Sequence, residues 1–453
     1  MMHRAWHTAA RSLYRNRRRN LATAVAIALG YAAMVLLGGY AIRVERFIRA
    51  NTVYLQRVGH LVVYPAGGLE GALAQPAKYA LSPEAQQIAL DELGKLPQVE
   101  FVTRQLKGMG LAGNGCKTLP FSALGVEPEL DARVLQHPEV LSATPALGRP
   151  LAGKGLSEYP GLDGATGLSA GLFRLLGKKK VHDELDGNQG VVVPDCGSPE
   201  LKKVLAADAN VQLAGLRWTG GLSAVDAEVV QVFHTPLSQT EDGTVLTTLA
   251  TLQRLYDTDS VTSLAVFLRD SRDAQALASH VRSRLAARGL SVDVYPFDDE
   301  RVGPYYAGTI PLLVSLVGFI GLLVVSVVVL SVLNAMTLSV LERTREMGTL
   351  RALGFTRRQL LGLFLREAML LSTLAVGAGL IVGVAVALGV NAANIRFSPP
   401  GMPGTIQLVL TPTPLLCAAI ALVLVPMSAV GTWLAVRRRV REPVVSLLSS
   451  SAA

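Results

Sequence analysis

Four stretches of this chain lack charged residues for long enough to cross a bilayer, and they limit what it can fold into. A membrane-spanning helix needs about 20 consecutive apolar residues. Residues 20–42 meet that length, as do 302–341, which are unusually long, and 368–395. The fourth stretch is 397–436. Its prolines at 399, 400 and 403 delay the helix, so the span itself is read as 414–436. Only 17% of the 453 residues are charged and half are hydrophobic, which is too apolar for an ordinary soluble protein. The expected fold class is an α-helical membrane domain of four transmembrane helices, with a large α/β domain inserted between helices 1 and 2. The expected division is a cytoplasmic amphipathic helix (1–19), span 1 (20–42), an outer α/β domain (43–301) and span 2 with its outer extension (302–341). After these come a cytoplasmic loop (342–367), span 3 (368–395), an outer loop (396–413), span 4 (414–436) and a cytoplasmic tail (437–453).

Charge gives the orientation. Segments 1–19, 342–367 and 437–453 hold 16 arginines and four acids, a net of +12, while the remainder is close to neutral at −3. Basic residues at span ends mark the cytoplasmic side. Both termini and the 342–367 loop are therefore read as inside, and the inserted domain as outside. Such a distribution argues against nucleic acid as a partner, because the cations cluster at the level of lipid headgroups. Residues 4–16 place Trp6, Ala10 and Leu13 on one helical face, as expected of a helix lying on the membrane surface. The first span is too long for the apolar core of a cleaved signal peptide and is read as an uncleaved anchor. Of three cysteines, Cys116 and Cys196 fall in the outer domain and Cys417 in span 4; a disulfide and two free thiols both remain open.

The insertion alternates strand and helix patterns, which suggests two small α/β lobes. Strands are expected over 59–67, 99–113, 118–128, 227–235, 261–270 and 291–297. Helices are expected over 82–96, 167–177, 245–257 and 272–289. No active site is legible. "GLAGNGCKT" (110–118) resembles a phosphate loop, but Cys116 separates Gly115 from Lys117, where the motif allows no gap; a hairpin turn is expected there. No nucleophile elbow is present, the seven histidines are scattered, and no Cys/His spacing points to a metal.

The remaining feature is "RTREMGTLRALGFTRRQLLG" (343–362), a loop too structured for a mere connector. Met347, Leu350 and Leu353 recur every three residues, which predicts a short helix with an apolar stripe. Gly354 follows as its stop. Thr356 and Gln359 form a capping box that opens the next helix. A short helix fused to a span in this way is suited to dock a cytoplasmic partner.

Residues 333–372, "LNAMTLSVLERTREMGTLRALGFTRRQLLGLFLREAMLLS", strongly resemble the signature of the FtsX-like permease domain. That domain is shared by MacB-type, LolC/LolE-type and FtsX-type ABC transporter membrane subunits. "AARSLYRNRRRNLAT" (9–23) and "AVRRRVREPVVSLL" (435–448) look like the same family's beginning and close, and the order of one span, an outer domain and three spans is also the family's. The outer pattern "VVVPDC…AEVVQVFHTP…VLTTLATLQRLY…VTSLAVFLRD" is similar to the family's periplasmic core. The resemblance implies a bacterial inner-membrane location and a periplasmic outer domain. It implies that 343–354 is a coupling helix contacting an ATPase through Arg345, Glu346, Met347, Gly348, Leu350, Arg351, Leu353 and Gly354. It also implies a second permease subunit, and a separate ABC ATPase that holds the ATP and Mg, so that this chain binds no cofactor and catalyses nothing. The substrate is not legible. Lipoprotein release or export of a lipophilic substrate is the leading expectation. The alternatives are efflux with a periplasmic adaptor and mechanical regulation of a periplasmic partner.

Within the spans the polar residues singled out are Asn334, Ser339 and Thr432, and no charge lies inside any span. An ion-coupled carrier normally needs one, so the energy is expected to arrive from outside the membrane. The small-residue row Ala375, Gly379, Gly383 is expected to pack against another helix of the same chain.

Overall fold

The computed structural model describes residues 17–72, 74–143, 148–184, 196–399 and 401–440. The surface helix expected over 4–16, the "VVVPD" run and the end of the tail lie outside these residues. The chain divides into a helical unit, residues 1–45, 310–395 and 407–453, and an α/β unit, residues 46–309 and 396–406.

Four long helices carry the helical unit: α1 (Arg17–Ala50), α6 (Pro304–Glu342), α8 (Arg357–Ala392) and α9 (Pro414–Arg439). All four are long and apolar enough to cross a membrane. Most of their apolar side chains are not covered by protein. Leu312, Val314, Phe319 and Leu322 of α6 and Ile381 and Leu388 of α8 are among the most exposed large hydrophobics of the molecule. So much bare apolar surface is stable only in lipid, and the chain is a membrane protein. The protein-facing side is a single seam to which every helix contributes: Ile27, Tyr31 and Val35 of α1, Val328, Val332 and Met336 of α6, Leu371 and Ala375 of α8, and Ile420 and Leu424 of α9. The small residues of α8 serve this seam. A Cβ on Gly379 would lie 2.5 Å from the Ala28 carbonyl oxygen, so α1 and α8 approach at backbone distance there. The hydroxyls of Ser326, Ser372, Ser428 and Thr432 bond back to carbonyls of their own helices, which satisfies them without a partner in lipid. Tyr31 of α1 donates to the Cys417 carbonyl of α9 at 2.9 Å.

The α/β unit is built on ten strands: β1 (Leu61–Pro65), β2 (Val99–Gly113), β3 (Thr118–Val126), β4 (Ala152–Gly153), β5 (Ala165–Ser169), β6 (Asn210–Leu216), β7 (Leu222–Phe233), β8 (Thr244–Thr248), β9 (Ser263–Leu268) and β10 (Val292–Pro296). The order is β10-β1-β9-β2-β3-β8-β5-β7-β4, with β6 paired to both β2 and β7. The alternation read as two lobes thus resolves into two structures that share one strand. The first half of β2 completes an open four-stranded sheet with β9, β1 and β10. Its second half enters a closed ring of pairings, β2-β3-β8-β5-β7-β6 and back to β2. Closure leaves that ring with no free edge.

Helices α2 (Pro83–Gly94) and α5 (Ala274–Ala286) cover the open sheet. Ser82 caps α2, with Pro83 in its first turn. Glu92 of α2, almost fully buried, accepts from Lys95 and from Arg284 of α5, and Arg288 lies 2.7 Å from it. These donors, Lys95 foremost, hold its carboxyl down at about 2. A further helix, α4 (Leu249–Tyr256), packs on the ring strands, and α3 (Pro128–Leu135) packs on the turns at 51–55 and 156–158. The helix expected over 245–257 is in fact β8 followed at once by α4, and 167–177 is the end of β5 followed by a one-turn-and-a-half helix, Ala170–Leu175. In each pair the strand hands over to the helix at a hydroxyl residue, Thr248 and Ser169.

"GLAGNGCKT" forms the hairpin between β2 and β3. The Asn114 carboxamide oxygen accepts from the backbone N–H groups of Cys116 and Lys117, and Gly115 takes φ +89°. Cys116 at this tip is disulfide-bonded to Cys196, with Cα atoms 5.5 Å apart, and Cys417 is free. No group of three potential metal ligands occurs among the described residues.

Candidate functional site

The expected short helix is α7 (Thr344–Ala352), and it is fixed at both ends. At its start the chain barely leaves α6. The Arg343 N–H still donates to the Ser339 carbonyl, the Met347 N–H donates to the Arg343 carbonyl, and the Thr344 hydroxyl bonds the carbonyls of Val340 and Leu341. At its end Gly354 takes φ +94°. The Phe355 N–H reaches back to the Leu350 carbonyl and the Gly354 N–H to Arg351, the double closure of a Schellman motif. One residue later Thr356 and Gln359 cap α8 reciprocally, at 3.3 and 2.8 Å. The loop is thus a rigid elbow between two long helices.

A small apolar core holds α7 against the span ends: Met347, 2% exposed, packs with Val340, Leu360, Phe364, Val436 and Val440, and Leu350 lies against its edge. Arg351 donates to the Val440 carbonyl at 3.4 Å. Arg343 forms the polar part of the joint. Its guanidinium donates to Glu346 at 2.9 Å and to Glu367 of α8 at 3.2 Å, and lies 5.7 Å from the Phe364 ring centroid. Glu367 is 2% exposed, which a carboxylate beside a span tolerates only when paired. Sequence reasoning missed Arg343 and Glu367 as a pair. The available signal was an acid at the inner end of a span, with arginines on the preceding loop.

The structure corrects the expected stripe. Met347, Leu350 and Leu353 do not share a face. At about 100° per residue, steps of three drift backwards, so Met347 and Leu353 are roughly 120° apart. Met347 and Gly348 are buried in the chain's own bundle, Leu350 lies at the boundary, and Leu353 is 74% exposed. The outward face is instead Glu346, Thr349 and Leu353 at i, i+3, i+7, continued by Gly354 and Phe355. Leu353 and Phe355 are thus large apolar side chains presented by a rigid turn, with Arg357 and Arg358 exposed immediately behind them.

Residues 318–444, which include this elbow, the greater part of α6 and all of α8 and α9, match the family model of the FtsX-like permease C-terminal domain. The chain carries an FtsX-like permease domain. Among relatives, it is 25% identical over 355 residues to the macrolide export ATP-binding/permease protein MacB of Agrobacterium fabrum, covering 74% of this chain and 50% of that protein. To the MacB 2 of Aeromonas hydrophila it is 31% identical over 157 residues, 33% of this chain and 24% of that one. The chain thus spans half or less of the length of these relatives. Two solved structures share weak likeness at a TM-score of 0.30. One is the extracellular domain of the ABC-type transporter YknZ from Gram-positive bacteria, at 13% identity over 49% of this chain and 92% of that one. The other is the periplasmic region of MacB from Actinobacillus actinomycetemcomitans, at 11% over 54% and 92%. The FtsX-like domain contains all of α7 and all the residues that hold it.

Proposed function

We propose that this protein is the permease subunit of an ABC system, in which ATP hydrolysis by an ABC ATPase is converted into movement of the α/β unit. The observation that carries this reading is the elbow: a helix locked to α6 and α8 that offers Leu353 and Phe355 outward. A rigid joint transmits displacement, whereas a flexible loop would absorb it. Sixteen arginines in three segments that flank the spans support a cytoplasmic position for the elbow and an outer position for the α/β unit. The Cys116–Cys196 disulfide supports the same, because disulfides persist in oxidising compartments. We assign the protein to the bacterial inner membrane, acting with a second permease subunit and leaving ATP and Mg to the ATPase. Lipoprotein release or export of a lipophilic substrate is the proposed task. Export of a macrolide-like compound is the reading favoured by the names of the relatives.

The test is a photo-crosslinking amino acid placed at Leu353 or at Met347 in native membranes. Leu353 should crosslink to an ABC ATPase and Met347 only within the chain. Leu353→Asp should abolish co-purification of the ATPase without changing insertion. An unchanged complex with Leu353→Asp would remove the docking role from this face.

A further inference from the structure

A cleft of about 870 Å3 opens on the α/β unit where β2, β6 and the start of β7 meet the segment around residues 74–78. Its size lies within the roughly 300–1,000 Å3 of small-molecule sites. Two properties set it apart from an ordinary sheet surface. Residues 107, 109 and 111 of β2 point outward in alternation, where an open face normally carries polar side chains. Here two of the three are Met109 and Leu111, and Leu216 and Leu222 extend the apolar surface across the neighbouring strands at 67% and 78% exposure. Trp218 and Tyr256, stacked at 6.4 Å, close one end. The second property is charge. Lys78, Lys107 and Arg217 line the cleft, no acidic residue does, and none of the three cations forms an ion pair with a carboxylate among the described residues. Lys78 lies over the Tyr79 ring, Lys107 donates to the Tyr64 hydroxyl at 2.8 Å, and the Arg217 side chain is exposed.

From this combination of exposed apolar floor and unneutralised cationic rim, we infer that the cleft binds an anionic amphiphile, a single acyl chain carrying an acidic head group. The chain lies along Met109, Leu111, Leu216 and Leu222, and the head group meets Lys78, Lys107 and Arg217. A neutral apolar ligand would leave three cations uncompensated at the rim, and a purely ionic one would leave the floor in water. The inference deepens the transport reading, on which its physiological meaning rests. Binding itself requires no ATPase, so its failure and the failure of the docking assignment are separate results.

Trp218 reports on the site. In the full chain with Trp6→Phe and Trp433→Phe, reconstituted in phosphatidylcholine nanodiscs at mildly alkaline pH, it is the sole tryptophan. The probe is 11-bromoundecanoate, whose bromine quenches indole, compared with 11-bromo-1-undecanol. The carboxylate should quench saturably and bind about tenfold more tightly than the alcohol. Lys78→Gln with Arg217→Gln, both at exposed positions, should bring the carboxylate to the level of the alcohol, and Leu222→Asp should weaken both probes. Equal affinity for the two probes, quenching that rises linearly with lipid-partitioned probe, or quenching indifferent to these substitutions would overturn the proposal. So would a mass doubling abolished by Leu222→Asp in the absence of saturable quenching, which would give the patch to a second copy of this chain.

Discussion

Two residues show how a single position can control a unit of this size. His60 is 1% exposed, and its Nδ1 accepts the Leu268 N–H at 2.9 Å, so the ring is neutral and fixed in one tautomer. Tyr54, Phe267 and Phe297 surround it edge-on. Burial foremost, then the charges of His137 and Arg49, opposed by Asp270, lowers it from 6.5 to about 4. A depressed folded value means that the unfolded chain binds the proton first. The contribution of His60 is therefore intact above pH 6.5 and lost as pH falls towards 4, about 3 kcal/mol over that window. His60→Asn keeps an acceptor for Leu268 but cannot titrate. Its thermal midpoint should be lower than wild type at pH 7.5 and should fall less between pH 6.5 and 4.5. Parallel curves for the two proteins would show that His60 is not the group titrating. Gly354 controls the other unit through its backbone alone. At φ +94° with nothing within 4 Å of an added Cβ, Gly354→Val meets no neighbour and yet strains the turn by about 1–2 kcal/mol. The ATPase should still co-purify with Gly354→Val, while its hydrolysis no longer responds to substrate. Gly354→Asn, which tolerates positive φ, should behave almost as wild type. If valine and asparagine behave alike, the aim of the turn does not matter.

At the scale of elements, the sequence was legible wherever one period ran long enough to dominate. The four apolar runs, the fifteen residues of β2 and the capped α2 all fall where pattern and caps place them. The failures share a cause. β5 and β8 are five residues each and pass directly into helices, so their period of two is swamped by the helical period that follows. Ser169 and Thr248, hydroxyl residues ahead of an apolar run, were the missed boundary signals. The 343–362 segment was legible as a helix with a glycine stop and a capped successor, but its face was misread, because a repeat of three does not track one side of a helix. Its Arg343–Glu367 joint was missed because the partners lie 24 residues apart, although an acid at the inner end of a span, after a loop of arginines, hinted at it. The small-residue row of α8 gives the element-scale prediction. A Cβ on Gly379 would collide with the α1 backbone and one on Gly383 would lie 3.5 Å from the Ala32 Cα, whereas a Cβ on Gly377 or Gly389 would meet open space. Gly379→Leu should therefore push α1 off α8 and reduce folded yield in detergent severalfold. Gly377→Leu on the same helix should be neutral. Equal tolerance of both would mean that the two helices do not approach so closely.

For the whole molecule, two statements about sidedness depend on each other. If α7 receives force from a cytoplasmic ATPase, an odd number of membrane crossings must separate it from the disulfide-bearing α/β unit. The single helix between them in the chain, α6, is long and apolar enough to supply that crossing. Arginine counts and the disulfide argue for this from unrelated physics, one from headgroup potential and the other from redox compartment. Cysteine labelling tests both together. In a Cys417→Ser background, Thr356→Cys places a thiol on the exposed elbow, and Asp163→Cys places one on a fully solvated turn of the α/β unit, whose side chain is 91% exposed. Neither position packs against a core, so both variants should fold. With the outer membrane permeabilised and the inner membrane intact, an impermeant maleimide should label the thiol at 163 and spare that at 356 until the cells are lysed. Labelling of both before lysis would mean that α6 does not cross the bilayer. Labelling of 356 alone would invert the protein, put the elbow beyond reach of any ATPase, and remove the basis of the proposed function.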